Sequence, residues 1–280
     1  MIGQGQGALS RMIGDVEVVV VSDGVLNSSL IHFIEIERSE CERLAGVPAD
    51  GPLPLAVNAF VVRSPGSVIL IDAGSGSSMG PTLGHLVTNL RAAGISPDSV
   101  DHVLLTHIHA DHSNGLIAED GRANFSNADV FVHEQEAHYW LDLPGDPNEP
   151  DMRRRNRANA ARAFAAYQGR VRRIREGEAL PGISAHLQAG HTPGHTGWLL
   201  RTRGEALLFW GDIVHVAAVQ LPRPDAALTF DIDPVAARAA RRRVYDWVAN
   251  DRIQVAGAHL DRGFGYLARK GTGYQFEPDA

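Results

Sequence analysis

The chain has 280 residues, of which 44% are hydrophobic and 21% charged, and 26 Lys and Arg against 33 Asp and Glu give a formal net charge of −7. This composition is too apolar for a disordered chain, and an uninterrupted apolar stretch of about 20 residues, which a membrane span needs, does not occur. The acidic balance argues against nucleic acid or anionic lipid as a partner, because both require a basic surface, and a small molecule is the expected partner.

The lone cysteine, Cys41, excludes an intrachain disulfide and a thiolate metal cluster. Residues 1–15 are rich in Gly and Gln and lack the charged start and apolar core of a secretory signal, so we expect a cytoplasmic protein. Layered α/β folds commonly reach about 250 residues as one unit, and we see neither a low-complexity linker nor a short repeat. We therefore predict one domain over residues 1–280.

Short apolar runs that end in turn or polar residues predict buried strands, and helical patterns lie between some of them. The predicted strands are Val16 to Val21, Val57 to Val62, Val68 to Ile71, His102 to Leu105, Asp129 to Val132, Ala206 to Trp210 and Ile253 to Ala256. The predicted helices are Thr82 to Ala93, Glu134 to Leu141, Arg153 to Tyr167 and Pro234 to Ala249, the last with Asp233 as its N-cap. This alternation favours a layered α/β domain over an all-β sandwich or a helical bundle.

Polar residues follow three of the predicted strands: Asp72 after the third, Thr106 and His107 after the fourth, and Asp212 after the sixth. Loops at one edge of a sheet are where layered α/β proteins place their sites. We therefore expect a shared site.

The segment Thr106–His112 carries three histidines and one aspartate within seven residues. Imidazole and carboxylate are the ligands that zinc and similar divalent cations prefer. A chance cluster of solvated histidines is the alternative, but so dense a cluster cannot sit on a helix face or in a core without leaving polar atoms unsatisfied. Further candidate ligands lie in Gly190–Thr196, at Asp212 and at His259.

The pattern His-x-His-x-Asp-His, followed by a distant His, an Asp and a His, resembles the metallo-β-lactamase superfamily and spans His107 to His259. The resemblance implies a four-layer αββα sandwich of the α/β (α+β) class and hydrolysis by a metal-bridging hydroxide on two divalent metal ions, taken as zinc. Redox chemistry is disfavoured, because the oxygen-reducing members have glutamate at the second ligand. The implied roles are: first metal, His107, His109 and His195; second metal, Asp111, His112 and His259; bridging carboxylate, Asp212; orientation of a ligand histidine, Asp72. Asp111 and Asp212 are the residues expected to act in catalysis with the hydroxide.

Within the superfamily, the segments Trp210–Gln220 and Gly265–Tyr274 resemble the methyl parathion hydrolase group, whose members are often dimeric. This implies a homodimer that cleaves a phosphotriester, a lactone or a carboxylic ester. The substrate pocket would include Trp140, Met79 and His215, the last where many acyl-homoserine lactonases carry a tyrosine. The alternatives are an acyl-homoserine lactonase, a glyoxalase II-like thioesterase and, less favoured, a nucleic-acid processing enzyme or a non-catalytic scaffold.

Several residues have a structural alternative to a role in the site. Trp140 and Met79 would also fit a core, His215 could bind nearby backbone, and Asn58 fits a turn. His191 is interpreted as bracing its loop, because the turn at Pro193 and Gly194 should separate it from His195. The arginine runs 153–157, 170–175 and 241–243 are interpreted as solvated faces rather than a nucleic-acid surface.

Overall fold

The computed structural model describes residues 9–64, 66–261 and 263–278. Residues 1–8, about half of the N-terminal segment from which a cytoplasmic location was expected, lie outside the described residues. The described chain forms two seven-stranded sheets and one two-stranded sheet. The strands are β1 (Ser10–Ile13), β2 (Val16–Ser28), β3 (Phe33–Ile34), β4 (Leu53–Ser64), β5 (Ser67–Ile71), β6 (His102–Leu104), β7 (Asp129–His133), β8 (Val171–Ile174), β9 (Gly177–Leu180), β10 (Ile183–Leu187), β11 (Thr196–Thr202), β12 (Glu205–Phe209), β13 (Ala227–Leu228), β14 (Gln254–Ala256), β15 (Phe264–Lys270) and β16 (Gly273–Pro278).

The two large sheets pack face to face. The first has the order β1-β2-β4-β5-β6-β7-β8, and the second has the order β16-β15-β14-β12-β11-β10-β9. Apolar side chains from both sheets form one buried cluster, in which the rings of Phe60 on β4 and Phe209 on β12 lie 5.3 Å apart. Both sheets combine parallel and antiparallel pairs; β5, β6, β7 and β8 run parallel to one another.

Helices pack on the outer faces of the two sheets or lie in the loops between strands. They are α1 (Arg38–Ala45), α2 (Leu86–Ala92), α3 (Ala110–Ser113), α4 (Glu134–Ala137), α5 (Asp151–Ala165), α6 (Ala217–Gln220) and α7 (Pro234–Asp251). One buried cluster joins the first sheet to α2 and α5, and another joins the second sheet to α7. The four-layer αββα sandwich expected from the sequence is confirmed. None of the helices in the described ranges is long and apolar enough to cross a membrane.

Two predicted helices differ from the observed ones. The segment Thr82 to His85 is a loop rather than the start of α2, because Gly84 has a φ of 83° and a Cβ there would lie 2.1 Å from the carbonyl oxygen of Gly76. The predicted helix Glu134 to Leu141 is α4 followed by the π-helical turn His138–Asp142. The predicted N-cap of α7 is confirmed, since the Asp233 side chain accepts a hydrogen bond from the Ala236 backbone N–H at 2.9 Å.

Candidate metal centre

Asp72 anchors the start of the histidine-rich loop at the end of β5. Its carboxylate accepts hydrogen bonds from the backbone N–H of Thr106 at 2.7 Å and from the Thr106 hydroxyl. Its Oδ2 also lies 2.8 Å from Nδ1 of His112. The strand end therefore fixes both ends of the His107–His112 segment, as the expected role of Asp72 requires.

Three histidines and Asp212 converge in what we term the first group: His107, His109, His191 and Oδ2 of Asp212. Nδ1 of His109 lies 3.0 Å from Nε2 of His107 and 2.9 Å from Nε2 of His191. Asp212 follows β12, and its Oδ2 lies 3.3 Å from Nε2 of His191. The group therefore joins the loop after β6 to two loops of the second sheet.

Asp111, His112 and His259 form the second group. Oδ2 of Asp111 lies 3.5 Å from Nε2 of His112 and 3.7 Å from Nε2 of His259. Asp111 and His112 come from α3, whereas His259 follows β14 in the second sheet. This group too is assembled from both halves of the sandwich.

Asp212 lies between the two groups, and each of its carboxylate oxygens faces one of them. Its Oδ2 is 3.6 Å from Nε2 of His107 and faces the first group. Its Oδ1 is 3.1 Å from Nε2 of His112 and 3.3 Å from Nε2 of His259. This is the arrangement of a carboxylate able to bridge two cations.

The donor atoms of both groups suit divalent cations. Nδ1 of His109 lies about 3 Å from ring nitrogens of both His107 and His191. It can form a good hydrogen bond with only one of them, because a ring nitrogen carries either one N–H or one lone pair. Nε2 of His112 and Oδ1 of Asp212 are buried and lie 3.1 Å apart, but neither forms a hydrogen bond of suitable geometry with any group of the described chain. Buried polar atoms of this kind normally have a partner, and a cation held by nitrogen and oxygen ligands supplies one.

The charges of the two groups are complementary. Burial lowers the pKa of His107 and His109 well below the usual histidine value, and neighbouring histidines act in the same direction. Burial also acts on His191, but its hydrogen bonds to Asp212 and Asp231 outweigh that effect and raise its pKa to about 9. Burial opposes ionisation of Asp212, but the nearby His112 and His259 hold its pKa well below the usual range. Asp212 is thus a carboxylate anion available to a cation.

Hydrogen bonds from behind orient three of these histidines. Nδ1 of His191 lies 2.8 Å from Oδ1 of Asp231, and Nδ1 of His259 lies 2.8 Å from the carbonyl oxygen of Ala56. With Asp72 behind His112, each of these rings turns Nε2 towards its group. A second partner of this kind fixes the tautomer of a ligand histidine and raises its basicity.

His195 does not lie where the sequence assignment places it. Its Nε2 accepts the backbone N–H of Asp212 at 2.9 Å, and burial, aided by the charge of His191, lowers its pKa to about 3. His191 occupies the place in the first group instead. The turn at Pro193 and Gly194 does separate the two rings as expected, but it is His191 that faces His109 and His195 that braces backbone.

The three residues assigned to the substrate pocket have different surroundings. Trp140 is only 1% exposed and belongs to the core; its Nε1 donates to Glu136 at 2.8 Å, and its ring lies 5.7 Å from that of His109. Met79 is half-buried in the loop between β5 and α2. His215 is buried, stacks on His259 at 5.1 Å and places Nε2 2.9 Å from Oδ2 of Asp212. The core alternative therefore describes Trp140, and His215 contacts the centre.

Three residues beside the centre were not identified from the sequence: Asp231, Glu136 and Phe230. The ring of Phe230 is half-buried and lies 5.3 Å from that of His215 and 6.0 Å from that of His191. Asp231 and Phe230 fall in an irregular segment before α7, and Glu136 falls in a short helix, so neither hydrophobic periodicity nor a motif marks them. For Phe230 and Asp231, a sequence signal is their position in a run of mixed acidic and aromatic residues just before the Asp233 cap.

Two residues with structural interpretations also act near the centre. Asn58 lies within β4 rather than in a turn, and its side-chain amide donates to the carbonyl oxygen of Leu260 at 3.0 Å, next to His259. Arg241 is buried rather than solvated, and its guanidinium donates to the carbonyl oxygens of Ile213, Pro224 and Ala226 at 2.8–3.0 Å. Arg241 therefore anchors the chain that follows Asp212.

Other arginines of the basic runs are engaged in ion pairs and hydrogen bonds, some on the surface and some partly buried. Arg157 lies beside Glu149, with Nε 3.3 Å from Oε1, and Arg172 and Arg173 pair with Asp129 and Asp142. Arg170 donates to the carbonyl oxygens of Ser126 and Ala128. These side chains link neighbouring segments of the first sheet and its helices.

The chain is similar to proteins of one superfamily. The family model described as "Metallo-beta-lactamase superfamily" matches residues 52–246. The crystal structure of hydrolase AbOPH, in the beta lactamase superfamily, is 34% identical, with a TM-score of 0.91 and coverage of 99% of each chain. AidC, a dizinc quorum-quenching lactonase solved with the product N-hexnoyl-L-homoserine, is 24% identical, with a TM-score of 0.91 and coverage of 98% of each chain.

A more distant structure has the same fold. A probable metal-dependent hydrolase from Staphylococcus aureus is 20% identical, with a TM-score of 0.80 and coverage of 96% of this chain and 100% of its own. The matched model covers more than half of the chain and contains the first group completely, together with Asp111 and His112. His259 lies beyond the matched residues, and its place in the second group rests on the geometry of the structure.

Proposed function

The chain belongs to the metallo-beta-lactamase superfamily and is a metal-dependent hydrolase, and from that premise we propose that it uses two zinc ions to cleave a small ester-like substrate. The observation that carries the proposal is the placement of Asp212, whose two carboxylate oxygens face different groups of buried ligands. A carboxylate in that position can hold two cations close enough for both to act on one substrate.

We assign the first metal to His107, His109 and His191, the second to Asp111, His112 and His259, and the bridging role to Asp212. His191 replaces His195 in this set, because Nε2 of His191 faces His109 and the carboxylate of Asp212, whereas Nε2 of His195 accepts a backbone N–H. Two divalent ions held there would supply Lewis acidity that lowers the pKa of a shared water and polarises the substrate oxygen. Neutral imidazole and carboxylate donors favour zinc among the common divalent ions.

The residues around the ligands prepare them for this role. Asp72 and Asp231 each hold Nδ1 of a ligand histidine, so that its Nε2 carries the lone pair towards the group. Burial lowers the pKa of His215 to about 4, so its ring is neutral near pH 7 and Nε2–H donates to Asp212. His215 thus steadies the bridging carboxylate, and its Nδ1 is an acceptor rather than a donor to substrate.

We propose that the apolar part of the substrate lies against Phe230. This half-buried ring touches both His191 and His215, whereas Trp140 is enclosed in the core. A partly accessible aromatic ring beside two polar rings suits an uncharged ester with an apolar substituent. Phosphotriesters, lactones and carboxylic esters share these properties. Met79 stands where the methyl parathion hydrolase group has an aromatic residue, and this argues against a pocket specialised for organophosphates.

The test is a substrate panel on protein with measured metal content. The panel contains a phosphotriester, an aryl carboxylic ester, a long-chain acyl lactone and a glutathione thioester. We expect two zinc ions per chain and turnover of at least one of the first three substrates. Asp212→Ala should abolish turnover and lower bound zinc below two per chain. Full activity of that variant would overturn the assignment, and turnover of the thioester alone would replace the ester with the thioesterase alternative.

We further propose that the protein works as a cytoplasmic homodimer on a small molecule, without a nucleic-acid or membrane partner. The acidic net charge of −7 and the surface pairing of arginines with carboxylates support the lack of a nucleic-acid partner. Light scattering of the purified protein tests the dimer, and retention on a polyanion column in moderate salt would contradict the partner proposal.

A further inference from the structure

Glu136 is a fully buried carboxylate that binds two separate loops and a side chain of its own helical segment. Its Oε1 accepts hydrogen bonds from the backbone N–H of Ile108 and from Nε1 of Trp140, both at 2.8 Å. Its Oε2 accepts the backbone N–H of Gly194 at 2.8 Å. In the described chain its contacts include no ion pair with a lysine or arginine, so these N–H groups compensate its charge.

The backbone groups bound by Glu136 belong to the loops of the first metal group. Ile108 lies between His107 and His109, and Gly194 lies three residues after His191. The contact is close, because a Cβ at Gly194 would lie 2.2 Å from the backbone nitrogen of Glu136. One side chain of α4 therefore holds together the two loops that supply all three histidines of that group.

The second group is held by other residues. Asp72 binds Nδ1 of His112, and the carbonyl oxygen of Ala56 binds Nδ1 of His259, each at 2.8 Å. Glu136 touches neither of these partners among its described contacts. The two groups consequently have separate supports, although they share Asp212.

We propose that Glu136 is a positioning residue that sets the metal affinity of the first group and leaves that of the second unchanged. The inference rests on the proposed two-metal function, because it assigns a support to one of its two sites. Glu136 acts through Ile108 and Gly194, which place the histidines, and it reaches neither ligand nitrogen itself.

The substitution Glu136→Gln keeps the volume of the side chain and changes only its hydrogen-bonding groups. A carboxylate offers an acceptor oxygen at both ends, but an amide offers one oxygen and one NH2 group. Since N–H donors face both ends of Glu136, the amide NH2 must face either Gly194 or the pair formed by Ile108 and Trp140. One of the two loops then loses its support and meets a repelling donor.

The matched control is Glu134→Gln in the same helix. Glu134 pairs with Arg175 at 2.7 Å on the surface and has no described contact with the loops of either group. A second variant, Trp140→Phe, keeps a ring in the core and removes only the indole N–H donor to Glu136. If Glu136→Gln does not fold, the zinc occupancy of Trp140→Phe tests whether Glu136 supports the first group.

The experiment measures zinc occupancy of each group by anomalous diffraction from crystals equilibrated at graded, buffered free zinc. We expect Glu136→Gln to raise the free zinc needed to half-fill the first group by about 10-fold or more, as for other supports of ligand histidines, and to leave the second within twofold. Glu134→Gln should match wild type at both groups. Trp140→Phe should weaken the first group less than Glu136→Gln does.

Three outcomes would overturn the inference: unchanged occupancy of the first group in Glu136→Gln, equal weakening of both groups, or the same loss in Glu134→Gln. If Glu136→Gln is insoluble, unchanged occupancy in Trp140→Phe has the same meaning. Wild-type crystals that never fill both groups would overturn the proposed function together with the inference. Wild type with two zinc ions and an unaffected Glu136→Gln overturns the inference alone.

Discussion

The backbone N–H of Asp212 donates a hydrogen bond to Nε2 of His195 at 2.9 Å, so this ring nitrogen is engaged by backbone rather than directed into the first group. This separates the roles of two histidines only four residues apart. His191→Ala should lower bound zinc from two per chain to about one, because the first group loses a nitrogen donor. His195→Ala should retain two, as measured by elemental analysis.

The variant His195→Ala should also change the stability of the protein. His195→Ala leaves the buried N–H of Asp212 without an acceptor, which should lower the free energy of unfolding by about 1–3 kcal/mol in chemical denaturation. Loss of zinc in His195→Ala with full zinc in His191→Ala would restore the assignment made from the sequence.

Asp231 should control the affinity of the first group through His191. In Asp231→Asn, the amide can place a donor against Nδ1 of His191, which disturbs the tautomer that presents Nε2 to the metal. We expect zinc affinity to fall about 10- to 100-fold in competition with a chelator. Asp233→Asn, two residues away, is the control, because asparagine caps a helix as well as aspartate does.

The cap of α7 should affect stability without affecting the centre. Asp233→Ala removes the acceptor for the Ala236 N–H and should lower the free energy of unfolding by about 1 kcal/mol. Zinc content and turnover should equal those of wild type. A variant that loses metal would show that α7 positions the centre through its first turn.

Glu136 should give the protein a pH-dependent stability that the glutamine variant lacks. Burial raises its pKa above the usual value of 4.5 despite the hydrogen bonds from Ile108 and Gly194. Because the folded-state pKa exceeds the unfolded one, the stability gained from its protonation is present below about pH 4.5 and is lost as the pH rises through the folded-state pKa.

The measurement is chemical denaturation of chelator-treated protein across this pH range. The free energy of unfolding of wild type minus that of Glu136→Gln should fall with rising pH above about 4.5 and then level off. A difference that rises with pH over the same window would contradict the direction of the shift.

Arg241 should be essential for stability although it lies in a run of three arginines. Arg241→Met leaves the carbonyl oxygens of Ile213, Pro224 and Ala226 without this donor, at a cost of about 1–3 kcal/mol for each group that stays unsatisfied. Arg243→Met, on the exposed side of the same helix, should change the free energy of unfolding by less than about 0.5 kcal/mol. Equal melting temperatures for the two variants would contradict this account.

The parts of the site that sequence could predict are those encoded locally. His107, His109, Asp111 and His112 stand within six residues after an apolar strand, so their clustering needs no tertiary information. The choice between His191 and His195 depends on the direction in which a turn projects two rings, which residue types do not specify. Asp231 meets His191 from 40 residues away, and Glu136 meets Ile108 from 28 residues away. Such contacts follow from packing.

The fold shows the same division. Strands such as β5 and β12 were predicted because continuous apolar runs mark them. Strand β11 was not predicted although its first five residues are buried, because Thr196 and Gly197 leave only a three-residue apolar run. Strand β8 was missed because Arg172 and Arg173 interrupt its apolar pattern and are exposed at the edge of the first sheet. Strands β15 and β16 were likewise not predicted, since exposed polar residues end both of them. A strand that is buried on one face alternates apolar and polar residues, so its sequence pattern is weaker than the continuous apolar run of a strand buried on both faces.

The sequential division of the two large sheets has a consequence for biosynthesis. Within the described chain, the strands of the first sheet end at Ile174 and those of the second begin at Gly177. A ribosome therefore releases His107 and His109 on one sheet well before His191 and Asp212 arrive on the other, and His259 comes last. Neither candidate group is therefore complete until strands of both sheets have been synthesised. The first group waits for Asp212, and the second waits for His259.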